Sequence, residues 1–370
     1  MTAWLDRCFA ARDRLLADPR FQRWAAAFPL TRPIAQRRAR ALFDLCAGFV
    51  YAQVLLACVQ LRLFDILAEG PQTAEALSGR LSLTPEATER LLLAAVSLNL
   101  VARRGEARFG LGQLGAAFRG NPGVAAMVEH HAMLYADLRD PVALLRGEVE
   151  RTELAGYWPY AAAGATAGLA DDQVAAYSGL MSASQPLVAG DVLDAYPLDR
   201  HRCLLDVGGG EGAFLTSAAQ RAPDLRLMLF DLPPVALRAE ARLAAAGLSS
   251  RATVVGGDFQ TDALPTGADV ISLVRVVHDH DDAVALGLLR AARQALPEDG
   301  VLLLAEPMSG TSGAEPIGDA YFGFYLLAMG SGRPRTPERL RTLLASAGFS
   351  RSKLLATRRP MLTRLMLARA

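Results

Sequence analysis

Cysteine is scarce: Cys8, Cys46, Cys58 and Cys203 are the four in 370 residues, scattered among apolar neighbours without C-x-x-C spacing. That excludes a disulfide framework and a cysteine-based zinc site, and predicts reduced core cysteines in a cytosolic protein. Lysine is nearly absent, with Lys353 the single one among 39 basic residues; beside abundant Ala and Leu this reads as genomic bias, not chemistry. An excess of either charge is lacking too. A formal net charge of +1, with 52% hydrophobic residues, leaves a chain able to bury large cores in about two domains. The N-terminus has no uninterrupted apolar run, since Asp6, Arg7, Arg12 and Arg14 fall where a signal peptide needs one, so export is not expected.

What is present centres on Leu204 to Gly212, LLDVGGGEG. A buried run ends in Asp206 and breaks into glycines, followed by a good helix from Ala213. Gly208 and Gly210 lack a Cβ, so a ligand can lie against their backbone, and Asp206 stands at the carboxyl end of a strand, where doubly wound sheets bind ligands. A second apolar strand, Leu225 to Phe230, delivers Asp231 at the distance where a carboxylate accepts from ribose hydroxyls. Both features fit NAD as well as S-adenosylmethionine. The third strand ends in Gly257-Asp258-Phe259, an acid for an adenine amino group and a ring to stack on the base.

In chain order, residues 1 to about 40 are helical and basic and could touch an anionic membrane surface or pack on a partner subunit. Ala41 to Leu61 is nearly long enough to span a membrane, but Asp44, Gln53 and Gln60 place it in a core or subunit interface. Leu63 to Gly120 follows a helix, helix, helix, wing order. Its longer helix, TPEATERLLLAAVSLNL, carries only Arg90 as a base, so dimerisation is expected there and nucleic-acid binding is not. From 121 to 198 the chain is helical, with His130 and His131 read as structural. The nucleotide-binding part spans 199–370: a fourth strand from Ala268 to Val277, a helix from Asp281, a fifth strand at Val301 to Ala305, and a closing pair at Ser350 to Thr357 and Met361 to Leu367. The organisation is thus 1–120, 121–198 and 199–370. A closing antiparallel hairpin suits the sheet of class I methyltransferases; a dinucleotide-binding sheet would not need it.

RVVHDHDD closes the fourth strand. His278 there faces the ligand crevice and can accept a proton near neutral pH, and Glu306 on the neighbouring strand could hold its tautomer. The His-Asp-His-Asp-Asp run resembles part of a metal site, but no further histidine comes after it, so no metal is expected. Asp281 is read as a helix cap and His280 as facing solvent.

With these motifs in this order, the chain resembles the S-adenosylmethionine-dependent O-methyltransferases of the plant caffeate and bacterial tailoring type, over residues 40 to 370. The resemblance implies an α/β fold, a doubly wound class I methyltransferase sheet with an N-terminal, mainly α winged-helix dimerisation domain, and a homodimer. It implies that Asp206 serves the methionine ammonium, Gly208 and Gly210 its close approach, Asp231 the ribose, and Asp258 and Phe259 the adenine of S-adenosyl-L-methionine. His278 would be the general base, with Asp279 and Glu306 completing the catalytic set. Two departures stand out: His280 replaces the usual tryptophan, and Gly332-Arg333-Pro334 replaces a second catalytic acid. Phrases such as RWAAAFPLTRPIAQRRARALFDLC and YWPYA are similar to the carotenoid-methylating branch in photosynthetic bacteria. That implies a small lipophilic acceptor lined by Tyr177, Met181, Tyr325 and Met329, and a cytoplasmic enzyme with peripheral contact at the inner membrane. The alternative within the family is a phenolic or chlorophyll-type acceptor.

Overall fold

The computed structural model describes residues 2–157 and 171–370, apart from the side chains of residues 2–3, 122, 171–178 and 183. The chain divides into two compact units, Met1–Arg119 and Gly120–Ala370. Residues 121–198, read from sequence as a segment of their own, fall within the second unit.

The first unit opens with α1 (Thr2–Ala17), α2 (Pro19–Ala27) and the long α3 (Arg32–Gln60). Then come α4 (Leu63–Ala68), β1 (Gln72–Thr73), α5 (Ala74–Leu81), α6 (Pro85–Ser97), β2 (Val101–Arg104), β3 (Arg108–Leu111) and α7 (Gln113–Arg119). Thr73 and Thr84 cap α5 and α6 through their hydroxyls, with Pro85 opening the second. The strands form a small antiparallel sheet of order β1-β3-β2. Its core gathers Cys58, Leu63, Leu77, Leu92 and Phe109, each buried Leu contributing about 2 kcal/mol. Most of α3 stays outside that core: Leu42, Phe43, Leu45, Phe49 and Val50 are exposed. The helix is therefore divided: its residues 42–50 lie outside the core of this unit, while Cys58 belongs to it, with Val54, Leu55 and Val59 packed alongside. Cys8 and Cys46 are exposed as well, unlike Cys58 and Cys203, because they lie on parts of α1 and α3 that stay outside the core of the unit.

The second unit begins with α8 (Pro122–Asp137), α9 (Pro141–Leu145), α10 (Glu153–Tyr157) and α11 (Asp171–Ala195). The sheet strands and helices come next as β4 (Cys203–Val207), α12 (Ala213–Arg221), β5 (Arg226–Asp231), α13 (Pro233–Ala245), β6 (Ala252–Gly256), β7 (Val270–Val274), α14 (Asp282–Ala295) and β8 (Val301–Glu306). The unit closes with α15 (Gly323–Met329), α16 (Pro337–Ser346), β9 (Arg351–Leu355) and β10 (Arg364–Arg369). Seven strands form one sheet of order β6-β5-β4-β7-β8-β10-β9, in which β10 alone is reversed, antiparallel to both β8 and β9. β4, β7 and β8 are buried throughout, as strands covered on both faces must be. Alternation sorts them: Leu205 and Ile271 pack with α14 and α16, Leu204 and Val270 with α11, α12 and α13. The strand order reverses between β4 and β7, which opens a crevice at their carboxyl ends.

β7 ends at Val274, three residues short of the end expected from sequence. Arg275 takes a left-handed φ of 61°, which no strand can continue, and the chain turns into a short 3-10 helix, Val277–Asp279.

Candidate active site

The cleft at the reversal has two lobes that share Gly208, Gly210 and Arg275. Asp231, Asp258, Phe259, Asp279 and His280 line one, and Met181, Glu211 and Ala213 the other. The turn after β4 is held from beneath: the Gly210 amide donates to Asp231 Oδ2 at 2.8 Å, and the Leu232 amide to Oδ1 at 2.7 Å. Gly210 has φ +57, and a Cβ there would meet nothing within 4 Å, so bare backbone borders the cleft. Burial pushes the Asp231 carboxyl up to about 6, against those two amide bonds. Asp258 accepts from the Gln260 amide at 2.9 Å, and Phe259 stands edge-on to His280 with centroids 5.2 Å apart. His280 therefore lines the cleft, which corrects the solvent-facing reading; burial pushes it down to about 4. Asp281 occupies the N-cap position of α14 without a side-chain cap bond.

Asp206 sits elsewhere than expected. It is 1% exposed, one oxygen accepts from the Ser272 hydroxyl at 2.6 Å, and the other lies under Gly209 without a partner. Burial pushes it up to about 7. It lies beneath the glycine turn and is not among the residues that line the cleft. A strand position cannot reveal this, because it does not say whether an end residue points above or beneath the adjoining turn.

The residues in the cleft fit S-adenosylmethionine. Bare glycine backbone, a carboxylate at the end of β5, and an acid followed by an aromatic ring after β6 give a ribose and an adenine their partners. Arg275, for which the sequence suggests no role, adds a cation whose hydrogen-bond partners among the described residues are neutral, the Ser184 hydroxyl at 2.8 Å and Met181 sulfur at 3.1 Å. The signal for it was an arginine at a strand end, invisible without the left-handed backbone that turns it inward.

His278 lies beside this cleft, 7% exposed. Its Nδ1 is hydrogen-bonded to Glu306 Oε2, while Glu306 Oε1 accepts the Val277 amide at 2.8 Å and the Val276 amide at 3.3 Å. Its Nε2 is 3.2 Å from Asp279 Oδ1. Burial alone would weaken the imidazole as a base, but the Asp279 and Glu306 carboxylates outweigh it and raise the His278 pKa above 6.5. Asp279, part-buried at the edge of the cleft, is pushed by desolvation up to about 6. The structure thus brings together His278, Glu306 and Asp279 as one unit: an imidazole held between two carboxylates next to the cofactor cleft.

The segment read as lacking a second acid proves to be a clamp. Gly332, at φ +83, would place a Cβ 2.6 Å from the Asp279 carbonyl carbon, so no side chain fits there. The Arg333 amide donates to the His278 carbonyl at 2.9 Å. Arg335, 3% exposed, donates to the Val277 carbonyl, the His280 carbonyl and Asp282. Its guanidinium locks the backbone on which His278 stands.

On the far side His278 meets Phe322 edge-on at 5.9 Å, and Phe322 meets Tyr321 at 5.0 Å. Tyr321 belongs to a π-helical turn, Pro316–Phe322, a distortion common at functional sites. Its hydroxyl pairs with His131 at 2.7 Å, as Tyr325 does with His130 at 2.6 Å. Of the expected acceptor residues, Met181 borders the cleft, while Tyr325 and Met329 lie in an apolar cluster with Leu134, Leu144 and Leu154. The Tyr177 side chain lies outside the described residues.

Residues 135–350 match the O-methyltransferase domain family, and residues 43–120 the O-methyltransferase dimerisation domain. Demethylspheroidene O-methyltransferase of Cereibacter sphaeroides is 48% identical over 94% of this chain and 91% of its own length. The enzyme of the same name from Rhodobacter capsulatus is 42% identical over 95% and 87%. Among solved structures, human N-acetylserotonin methyltransferase in complex with S-adenosylmethionine superposes with a TM-score of 0.71 at 25% identity, covering 90% of this chain and 97% of that one.

Proposed function

Because the chain belongs to the S-adenosylmethionine-dependent O-methyltransferase family, we propose that it methylates the tertiary 1-hydroxyl of an acyclic carotenoid, with His278 as general base. The observation that supports the base assignment is the pinned imidazole: Glu306 holds Nδ1, and Nε2, 3.2 Å from Oδ1 of the cleft-lining Asp279, is the nitrogen turned to the cleft, where an acceptor hydroxyl would have to come between it and Asp279. The acceptor class is supported by the similarity to two demethylspheroidene O-methyltransferases and by the aromatic path from His278 through Phe322 and Tyr321 to an apolar cluster.

When bound, S-adenosylmethionine supplies an electrophilic methyl on a sulfonium. Asp231, Asp258 and Phe259 would hold the cofactor in the cleft, and the protein's part would be to present the acceptor oxygen to that methyl. A tertiary alcohol is a far weaker acid than imidazolium, so His278 cannot ionise it in advance; Nε2 takes the proton as the O–C bond forms and the C–S bond breaks. Asp279 and Glu306 stabilise the imidazolium that results. Apolar walls suit the step because positive charge on sulfur is lost as it proceeds.

The test replaces His278 and Asp231 by alanine in turn. His278→Ala is expected to cut turnover at least a hundredfold and leave cofactor affinity nearly unchanged, while Asp231→Ala weakens cofactor binding. Equal loss of binding in both variants would overturn the role given to His278.

A further inference from the structure

Residues 1–42 precede the part of the chain that matches the dimerisation family, and their charge sets them apart from the rest of the molecule. They hold nine arginines against three aspartates, a net +6 in a chain of net +1. From Pro19 to Leu42 there is no acid at all. Arg20, Arg23, Arg32, Arg37, Arg38 and Arg40 are all exposed, and among the described residues none has a carboxylate within ion-pair reach.

Between the arginines lies apolar surface. Phe21, Trp24 and Phe28 recur on one side of α2 and stack at 5.7 and 5.2 Å. Trp24 is nevertheless 52% exposed, and Leu30 and Ile34 beyond it are 79% and 56% exposed. Aromatic and aliphatic groups flanked by guanidinium groups that nothing neutralises are the composition of a helix lying in the headgroup layer of a bilayer.

We propose that α2 and the first turns of α3 dock the enzyme on an anionic lipid surface. This rests on the proposed acceptor, whose apolar chain would be held in such a layer. A second copy of the chain is the rival occupant, and charge argues against it. The part of α3 that falls in the dimerisation region has Asp44 as its one charged residue between Leu42 and Gln60, and its exposed Phe43, Leu45 and Phe49 suit a protein interface. The arm before it is built differently, with cations that a protein surface would have to match one by one and an anionic bilayer matches in bulk.

The experiment is flotation of the full chain with phosphatidylcholine vesicles, with and without phosphatidylglycerol, at low and high salt. The wild-type chain is expected to float with the anionic vesicles at low salt and to be released by high salt. A variant carrying R20E, R23E, R37E and R38E is expected to lose on the order of a hundredfold in partitioning, with its oligomeric state and its rate on a detergent-dispersed acceptor unchanged. Trp24→Ala, which leaves every charge in place, is expected to weaken the same partitioning. Failure of the wild-type chain to float overturns the proposal, as does dissociation of the oligomer in the charge-reversed variant, which assigns the arm to a second copy. Flotation is read without an acceptor. A chain that floats but does not methylate a carotenoid contradicts the acceptor assignment alone, and one that methylates but does not float contradicts the docking alone.

Discussion

Replacing Glu306 by glutamine changes a single atom type at the site and should nearly silence it. Glu306 Oε1 holds the Val277 and Val276 amides, so the glutamine keeps its carbonyl oxygen there and turns its NH2 toward His278 Nδ1. Nδ1 must then accept, which moves the ring proton to Nε2, the position that has to receive the acceptor's proton. The neutral imidazole is present but in the wrong tautomer. An acid-to-amide change of this kind behind a catalytic histidine costs about 10⁴ in turnover elsewhere, and we expect a loss of about 10³ to 10⁴, about 4 to 5.5 kcal/mol in barrier. Glu306 does not line the cofactor cleft, so S-adenosylmethionine affinity should stay within about threefold, less than about 0.7 kcal/mol. Release of S-adenosylhomocysteine from detergent-dispersed carotenoid gives the rate, and calorimetric titration gives the affinity. A variant that keeps turnover within about tenfold of wild type would refute the reasoning, because His278 would then need no fixed tautomer.

The same geometry sets three further outcomes. Turnover should rise with pH through a His278 pKa above 6.5, since the neighbouring carboxylates raise it and only the neutral ring can accept a proton; a rate that falls over that range would contradict the base role. Asp231 is pushed up to about 6, so below that pH it gains a proton and loses an acceptor for the ribose. Calorimetry at acid pH should therefore show affinity lower by on the order of tenfold, a single lost hydrogen bond to a charged group. Gly332→Ala combines a left-handed backbone with a Cβ pressed on the Asp279 carbonyl and should cost about 1 to 3 kcal/mol. In a unit of this size that is a fall of several degrees in Tm, and an unchanged melting curve would mean that the 331–335 segment is not clamped on His278.

Much of this was legible in the sequence, and for identifiable reasons. The strands from β4 to β8 announce themselves as apolar runs because both faces of a parallel sheet are buried. The glycine turn, Asp231 and the antiparallel pair β9–β10 are local patterns with local causes. His278 and Glu306 could be paired because one follows β7 and the other ends the neighbouring β8. What escaped depends on direction instead of position. Asp206 points under its turn, His280 points into the cleft, and Arg275 reaches it only because its backbone leaves the strand in a left-handed turn. Gly332-Arg333-Pro334 reads as a gap in the family pattern, and only contacts across more than 50 residues of sequence reveal this segment, with Arg335 after it, as the support of the loop that carries His278. The exposed face of α3 was out of reach for a related reason: an apolar helix looks the same in sequence whether its own chain or a partner covers it.

The most direct measurement incubates the purified enzyme with methyl-labelled S-adenosylmethionine and two acceptors, a 1-hydroxy acyclic carotenoid in detergent and a simple catechol, and tracks the label. The account predicts label on the carotenoid hydroxyl with matching release of S-adenosylhomocysteine. Label on the catechol alone would contradict the acceptor assignment and leave a methyltransferase for phenols.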